Sequence, residues 1–191
     1  MLDTRFQARE RGIADSRKAI RAAANAIRHL HRGQHDEADA LIEESNDLLR
    51  DAEGLLAEHT DTLNANFFVD AVKEYAEAVL TRALFDDRPL PTPEQLDVDP
   101  VPYLHGLGET VGECRRRLLD LLRHGDLSSA ERLLITMDGI VDLLADLDYP
   151  DGMTNSLRRT TDVSRALVER SRSDLTATVV QERLRRDLAS G

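Results

Sequence analysis

Residues 67–80 read FFVDAVKEYAEAVL. Phe68, Val72, Tyr75 and Val79 recur at the three- and four-residue steps of a helix and fall on one side of it. Asp70, Glu74 and Glu77 fall on roughly the opposite side, and Thr81 continues that stripe by one turn. An apolar stripe backed by an acidic one predicts a helix packed on other helices. The acidic back has two readings: a solvated face, the usual fate of charge runs, or a set of oxygen ligands for a hard metal ion.

The same pattern extends along the chain. Aromatic residues make up 4% of the 191 residues, Trp is absent, and Leu and Ala supply most of the apolar side chains, a composition that favours helix over strand. Ile13, Ile20 and Ile27 recur at sevens in a first helix over 4–32, with Ala24 and Leu30 beside them. Gly33 closes it and Asp36 opens a second, over 37–58, whose doublets Leu41-Ile42, Leu48-Leu49 and Leu55-Leu56 also recur at sevens. These two should form an antiparallel hairpin. The third helix runs from Asp61 to Phe85. A Pro-rich connector over about 86–101 follows, with a helical turn at PEQL. A fourth helix spans 102–124, a fifth starts at Asp126 or Ser128 and reaches Leu147, and Tyr149-Pro150-Asp151-Gly152 marks a turn. A sixth covers 153–171 and a seventh 174–188. The reading is a single all-α domain over 1–191, a seven-helix bundle. Its heptad faces suit burial against other copies as well as in a monomer core, and point to a homo-oligomer.

Thirty-six acidic against 25 basic residues give a formal net charge of −11, and Lys18 and Lys73 are the only lysines. Such a surface suits a salt-rich cytoplasm, hence a halophilic source. Cys114, the sole cysteine, excludes an intrachain disulfide and a CxxC site, and its place on an apolar helix face makes it a core residue. The opening MLDTRFQARERG lacks a hydrophobic signal region, and no run nears the ~18 apolar residues of a membrane span. The expected location is the cytoplasm, away from membranes.

In the fourth helix Leu107, Val111, Cys114, Leu118 and Leu121 form the apolar stripe, with Glu109, Glu113, Arg116 and Asp120 on the other face. Glu109 and Glu113 are an i,i+4 pair; such like-charge pairs cost only roughly 0.2–0.5 kcal/mol each, so a solvated face tolerates them. Together with Glu74 and Glu77 they also make four hard oxygen donors, two per helix, suited to Mg²⁺ or Mn²⁺ and to phosphodiester chemistry. A di-iron bundle needs Glu-x-x-His on two helices, and no Glu here has a His three residues on. There is no GxSxG, and GLGETVG (106–112) lacks the strand and the Lys of a phosphate loop. Arg17, Lys18, Arg21 and Arg28 on the first helix, and Arg116 within the run 115–117, are the candidate phosphate contacts on this acidic chain.

KEYAEAV (73–79), VPYLHGLGETVGE (101–113), Gly125-Asp126 and YPDGMTNSLRRTTDVSRALVE (149–169) together resemble, in order and spacing, the translin superfamily, and most nearly its nuclease-type subunit, translin-associated factor X. The resemblance implies a translin-type fold and a Mg²⁺- or Mn²⁺-dependent endoribonuclease acting on single-stranded RNA, with single-stranded DNA as a further ligand. It implies work within a closed homo-oligomer, octamer or hexamer, from an archaeal, halophilic source. By position it assigns Glu74, Glu77, Glu109 and Glu113 as metal ligands and catalytic residues; attack of a metal-bound water on phosphorus would then leave a 5′-phosphate and a 3′-hydroxyl. Glu109 stands where the nuclease pattern usually has Asp. The alternative is a non-catalytic nucleic-acid-binding oligomer, or a scaffold for a second subunit.

Overall fold

A computed structural model of the chain describes residues 2–56 and 66–190. Among them are eight helices: α1 (Leu2–His31), α2 (His35–Leu56), α3 (Asn66–Phe85), α4 (Pro93–Leu96), α5 (Pro100–His124), α6 (Leu127–Ala145), α7 (Asp151–Thr154) and α8 (Leu157–Ser190). The described residues contain no strand, so the all-α expectation holds. Among them, no helix is long and apolar enough to cross a membrane. The expected start of the third helix, 61–65, and the end of the second, 57–58, lie outside the described residues.

The chain divides into two compact units, Met1–Leu107 and Gly108–Gly191, and α5 runs unbroken through the division. In the first unit α1 and α2 form the expected antiparallel hairpin. Gly33 makes the turn at φ 71, donating to Leu30 O at 3.0 Å while Gln34 N–H reaches His29 O at 3.0 Å, which satisfies two carbonyls at the end of α1. Gly12 faces Leu56, and Ser45 Oγ donates to Ala19 O at 3.0 Å. Among residues 4–32, the sequence reading put Ile13, Ile20 and Ile27 foremost. The fully buried line of α1 is instead mostly small, Ser16, Ala19, Ala23 and Ala26, ending in Leu30, which lets neighbouring helices approach closely. α3 completes this core. Val72 and Tyr75 pack with Leu49 and Ala19, joined by Phe68 and Val79, and Ala78 and Phe85 pack with Ile27 and Leu30.

The Pro-rich connector is fastened at both ends. The expected turn at PEQL is α4, set by a capping box in which Thr92 Oγ1 accepts from Gln95 N and Gln95 Oε1 accepts from Thr92 N. Tyr103 Oη donates to Pro91 O at 2.8 Å, and Leu96 and Val98 pack onto the α1–α3 core. At its start, Asp86 pairs with Arg82, with Arg88 at 3.0 Å and with His35 at 3.2 Å, while Arg82 also grips Asp39 at 2.7 Å.

In the second unit α6 runs antiparallel to α8, with Arg172 on Asp138 at 2.6 Å. The 108–124 portion of α5 runs parallel to α8. Gly108 abuts Thr160, Ser164 Oγ donates to Gly108 O at 2.9 Å, and Arg115 reaches Ser171 at 3.0 Å and Asp174 at 2.9 Å. Cys114 is fully buried, as expected, and burial pushes its thiol up to about 12. The turn at 149–152 becomes the single-turn helix α7, ended by Asn155 and Ser156 at φ 51 and 64.

One expectation fails in detail. The sixth and seventh helices, 153–171 and 174–188, are one helix, α8. The polar run Ser171-Arg172-Ser173-Asp174 spans the expected break. Ser171, Thr176 and Thr178 instead return their hydroxyls to the carbonyls of Leu167, Arg172 and Asp174 at 2.8, 2.7 and 2.8 Å, and Arg115 holds Ser171 and Asp174 from α5. The count is therefore six long helices and two single turns among the described residues, in place of seven.

The hydrogen bond from Arg82 is the main reason that the Asp86 carboxyl is held below the usual range, with Arg88 and His35 adding to it. A carboxyl lowered by folding lends stability above its unfolded value, about pH 4, and loses it as pH falls through the lower folded value. Asp86→Asn should therefore lower the melting temperature at neutral pH, and the variant and wild-type curves should converge in acid. Thermal melts across pH 2–7 read this directly.

Candidate metal centre

The stretch that opened the sequence reading places its two faces as expected, but the acidic back is not a solvated one throughout. Val72 and Tyr75 are buried in the first unit's core. Across the helix Asp70 is exposed and Glu74 half-buried, while Glu77 is 8% exposed and Thr81 fully buried. Thr81 Oγ1 has no hydrogen-bond partner among the described residues. Lys73 Nζ lies 3.3 Å from Glu74 Oε1.

α5 reaches this face through Gly106. A Cβ there would stand 2.7 Å from Lys73 O, 2.9 Å from Glu77 N and 3.1 Å from Ala76 Cβ, so two backbones meet where no other residue fits. Gly106 is the residue that the sequence reading missed when it set GLGETVG aside. Its signal was a glycine inside a helical pattern, which costs about 1 kcal/mol relative to Ala and calls for a packing reason.

Glu109 follows on the next turn of α5, half-buried. Glu74, Glu77 and Glu109 each present a carboxylate oxygen within 4.8 Å of the others. Three of the four carboxylates named from sequence are thus gathered. Glu113, one turn further and half-buried, stands outside that group. Three carboxylates, one of them buried, gathered this closely offer hard oxygen donors of the kind that small divalent cations take. His105, one turn before Glu109, is also half-buried.

The candidate phosphate contacts are all exposed: Arg17, Lys18, Arg21 and Arg28 on α1, and Arg116 on α5. Lys18 pairs with Asp15 at 2.7 Å and Arg28 donates to Asn25 at 2.5 Å. Arg17, Arg21 and Arg28 share one face of α1, within about 40° at ~100° per residue, and Lys18 stands off it. Arg115, beside Arg116, is spent on Ser171 and Asp174.

The chain matches no family model. It is 26% identical to the uncharacterized protein MJ0175 of Methanocaldococcus jannaschii over 181 residues, covering 94% of this chain and 80% of that protein. Among solved structures it is similar to AfC3PO at 29% identity and TM-score 0.82, covering 94% of both chains. A second AfC3PO structure, a complex with duplex RNA, gives 29% and 0.81 over 94% of this chain and 93% of that one. NeC3PO without ligand shares the fold at TM-score 0.83 and 19% identity, over 91% and 90%. The fold is that of C3PO subunits, complexes of the translin and translin-associated factor X type.

Gly106→Ala should force α5 off the Lys73–Glu77 backbone. We expect a loss of about 1–3 kcal/mol in urea unfolding, the usual range for overpacking, and weaker Mn²⁺ binding by calorimetry. Gly54→Ala, where nothing lies near an added Cβ, is the control that should cost nothing.

Proposed function

We propose that this chain is a translin-superfamily endoribonuclease of the nuclease-subunit type, using Mg²⁺ or Mn²⁺ to hydrolyse single-stranded RNA within a closed homo-oligomer. The observation that carries the reading is the meeting of Glu74, Glu77 and Glu109. Their chemistry fits a small divalent ion: three hard carboxylate donors from two helices, one nearly buried, with the orphaned Thr81 hydroxyl one turn from Glu77. Such an ion, when bound, supplies Lewis-acid stabilisation of phosphoryl charge and a lowered pKa for water.

The protein's own part is positioning. Gly106 fixes the spacing between α3 and α5, so the carboxylates are drawn together before an ion arrives. Burial of Glu77 limits the water that competes for it. The extra methylene of Glu109, in place of the Asp usual in the nuclease pattern, is compatible with this: the carboxylate reaches the other two in the folded chain. Arg17, Arg21 and Arg28, exposed on one face of α1, are suited to track a phosphate backbone. The similarity to AfC3PO, one structure of which holds duplex RNA, supports RNA as the ligand class.

A second reading is an RNA-binding oligomer without nuclease activity. Glu113, named as the fourth ligand, lies outside the trio, and this favours it.

Labelled single-stranded and duplex RNA, incubated with the purified protein with and without Mn²⁺, separate the two. The nuclease reading expects Mn²⁺-dependent cleavage of the single strand, with 5′-phosphate ends. Glu77→Gln should slow it by about 100-fold or more, since even groups behind metal ligands are worth about 10–100-fold, and Glu113→Gln should have a smaller effect. Binding of either RNA with no cleavage under any metal supports the second reading and ends the first. Replacing Arg17, Arg21 and Arg28 together by Ala should weaken RNA binding in fluorescence anisotropy and flatten its salt dependence by about three phosphate contacts.

A further inference from the structure

We infer that the outward face of α6 is a two-fold contact with a second copy of this chain. Ile135 is 63% exposed and Leu143 51% exposed. Gly139 lies midway between them, one turn from each, also exposed, and a Cβ built on it meets nothing within 4 Å. A glycine inside a helix costs about 1 kcal/mol relative to Ala, and among the described residues no close neighbour requires this one. Two large apolar side chains flanking a bare backbone form a shallow saddle that another helix can enter closely.

The charges around the saddle select the occupant. At about 100° per residue, Arg132, Ile135, Leu143 and Asp146 all lie within about 40° of the direction of Gly139. Arg132 and Ile135 precede the glycine by seven and four residues; Leu143 and Asp146 follow it by four and seven. The stripe is thus palindromic in position and complementary in character. When a second copy of α6 crosses antiparallel at Gly139, each Ile135 meets Leu143 of the other copy and each Arg132 meets the opposite Asp146. This is the self-complementarity of an isologous contact. Arg132 is already drawn onto this end of the helix by the hydroxyls of Ser128 and Ser129, at 2.9 Å each. Asp146 is an exposed C-cap that keeps helical backbone angles, φ −73 and ψ −12, so it continues the same face. The inference rests on the homo-oligomer in the proposed function and not on the nuclease chemistry.

Light scattering on the purified full-length chain tests it. Wild type should have a multiple of the chain mass. Leu143→Asp, Arg132→Asp and Asp146→Arg should each halve that mass or reduce it further, with unchanged far-UV circular dichroism because all three positions are exposed. Arg132→Asp combined with Asp146→Arg should recover the wild-type mass. Gly139→Cys, which lies on the two-fold axis, should give a disulfide-linked pair under mild oxidation. Wild type should not, because its one thiol is buried. A wild-type mass of one chain overturns the contact. So do single variants that keep the full mass, and a double variant that fails to recover it. RNA cleavage by wild type is read separately, so loss of this face and loss of the nuclease reading are told apart.

Discussion

At Gly106 the backbone of α5 rests on that of α3 with no room for a β-carbon. Interhelical distance is normally set by the side chains at the crossing, commonly 8–10 Å between axes. A glycine at the crossing removes that spacer. The carboxylates on the adjoining turns are then brought within a few ångströms, where ordinary spacing would leave them apart. Much else in the first unit serves this seating. The alanine line of α1 and the Val72–Tyr75 face of α3 fix α3 from behind. Tyr103 and the capped turn at Thr92–Gln95 fix the start of α5.

The electrostatics follow from that geometry. A chain with a net charge of −11 repels nucleic acid at long range, so the proposed RNA binding would need local attraction. Two local sources are candidates. One is the three-arginine face of α1. The other would be the acidic pocket if it holds the proposed divalent ion, which would offset two of the three carboxylate charges and face a phosphate oxygen. Elsewhere arginine is used structurally: Arg82 bridges Asp39 and Asp86, and Arg115 and Arg172 hold α8 to its neighbours. In a protein with only two lysines, the guanidinium fork provides these cross-links in bidentate or shared form.

Periodicity made the helices legible, because a 3.6-residue pattern of Leu and Ala survives any change of partner. It also placed Glu74, Glu77, Glu109 and Glu113 on the faces opposite the apolar stripes, and left open whether those faces are solvated. Three things escaped it. The continuity of α8 across residues 171–174 goes with the hold of Arg115, from another helix, on Ser171 and Asp174, which no local pattern carries. Helix proximity at Gly106 is a property of two segments about 30 residues apart, and each reads as ordinary alone. The distinction between Glu109 and Glu113 is likewise tertiary. Both sit on the same face one turn apart, and only the position of the crossing decides which of them reaches α3.

The enclosure of Cys114 has an effect of its own. Its sulfur is fully buried and its thiolate is suppressed by that burial. Alkylating reagents and oxidants therefore find nothing to attack while the packing around it is closed. Modification proceeds only in moments when that packing parts, at a rate set by the free energy of the opening. The lone sulfur is thus a built-in clock for local breathing of the fold, silent toward the redox state of its surroundings.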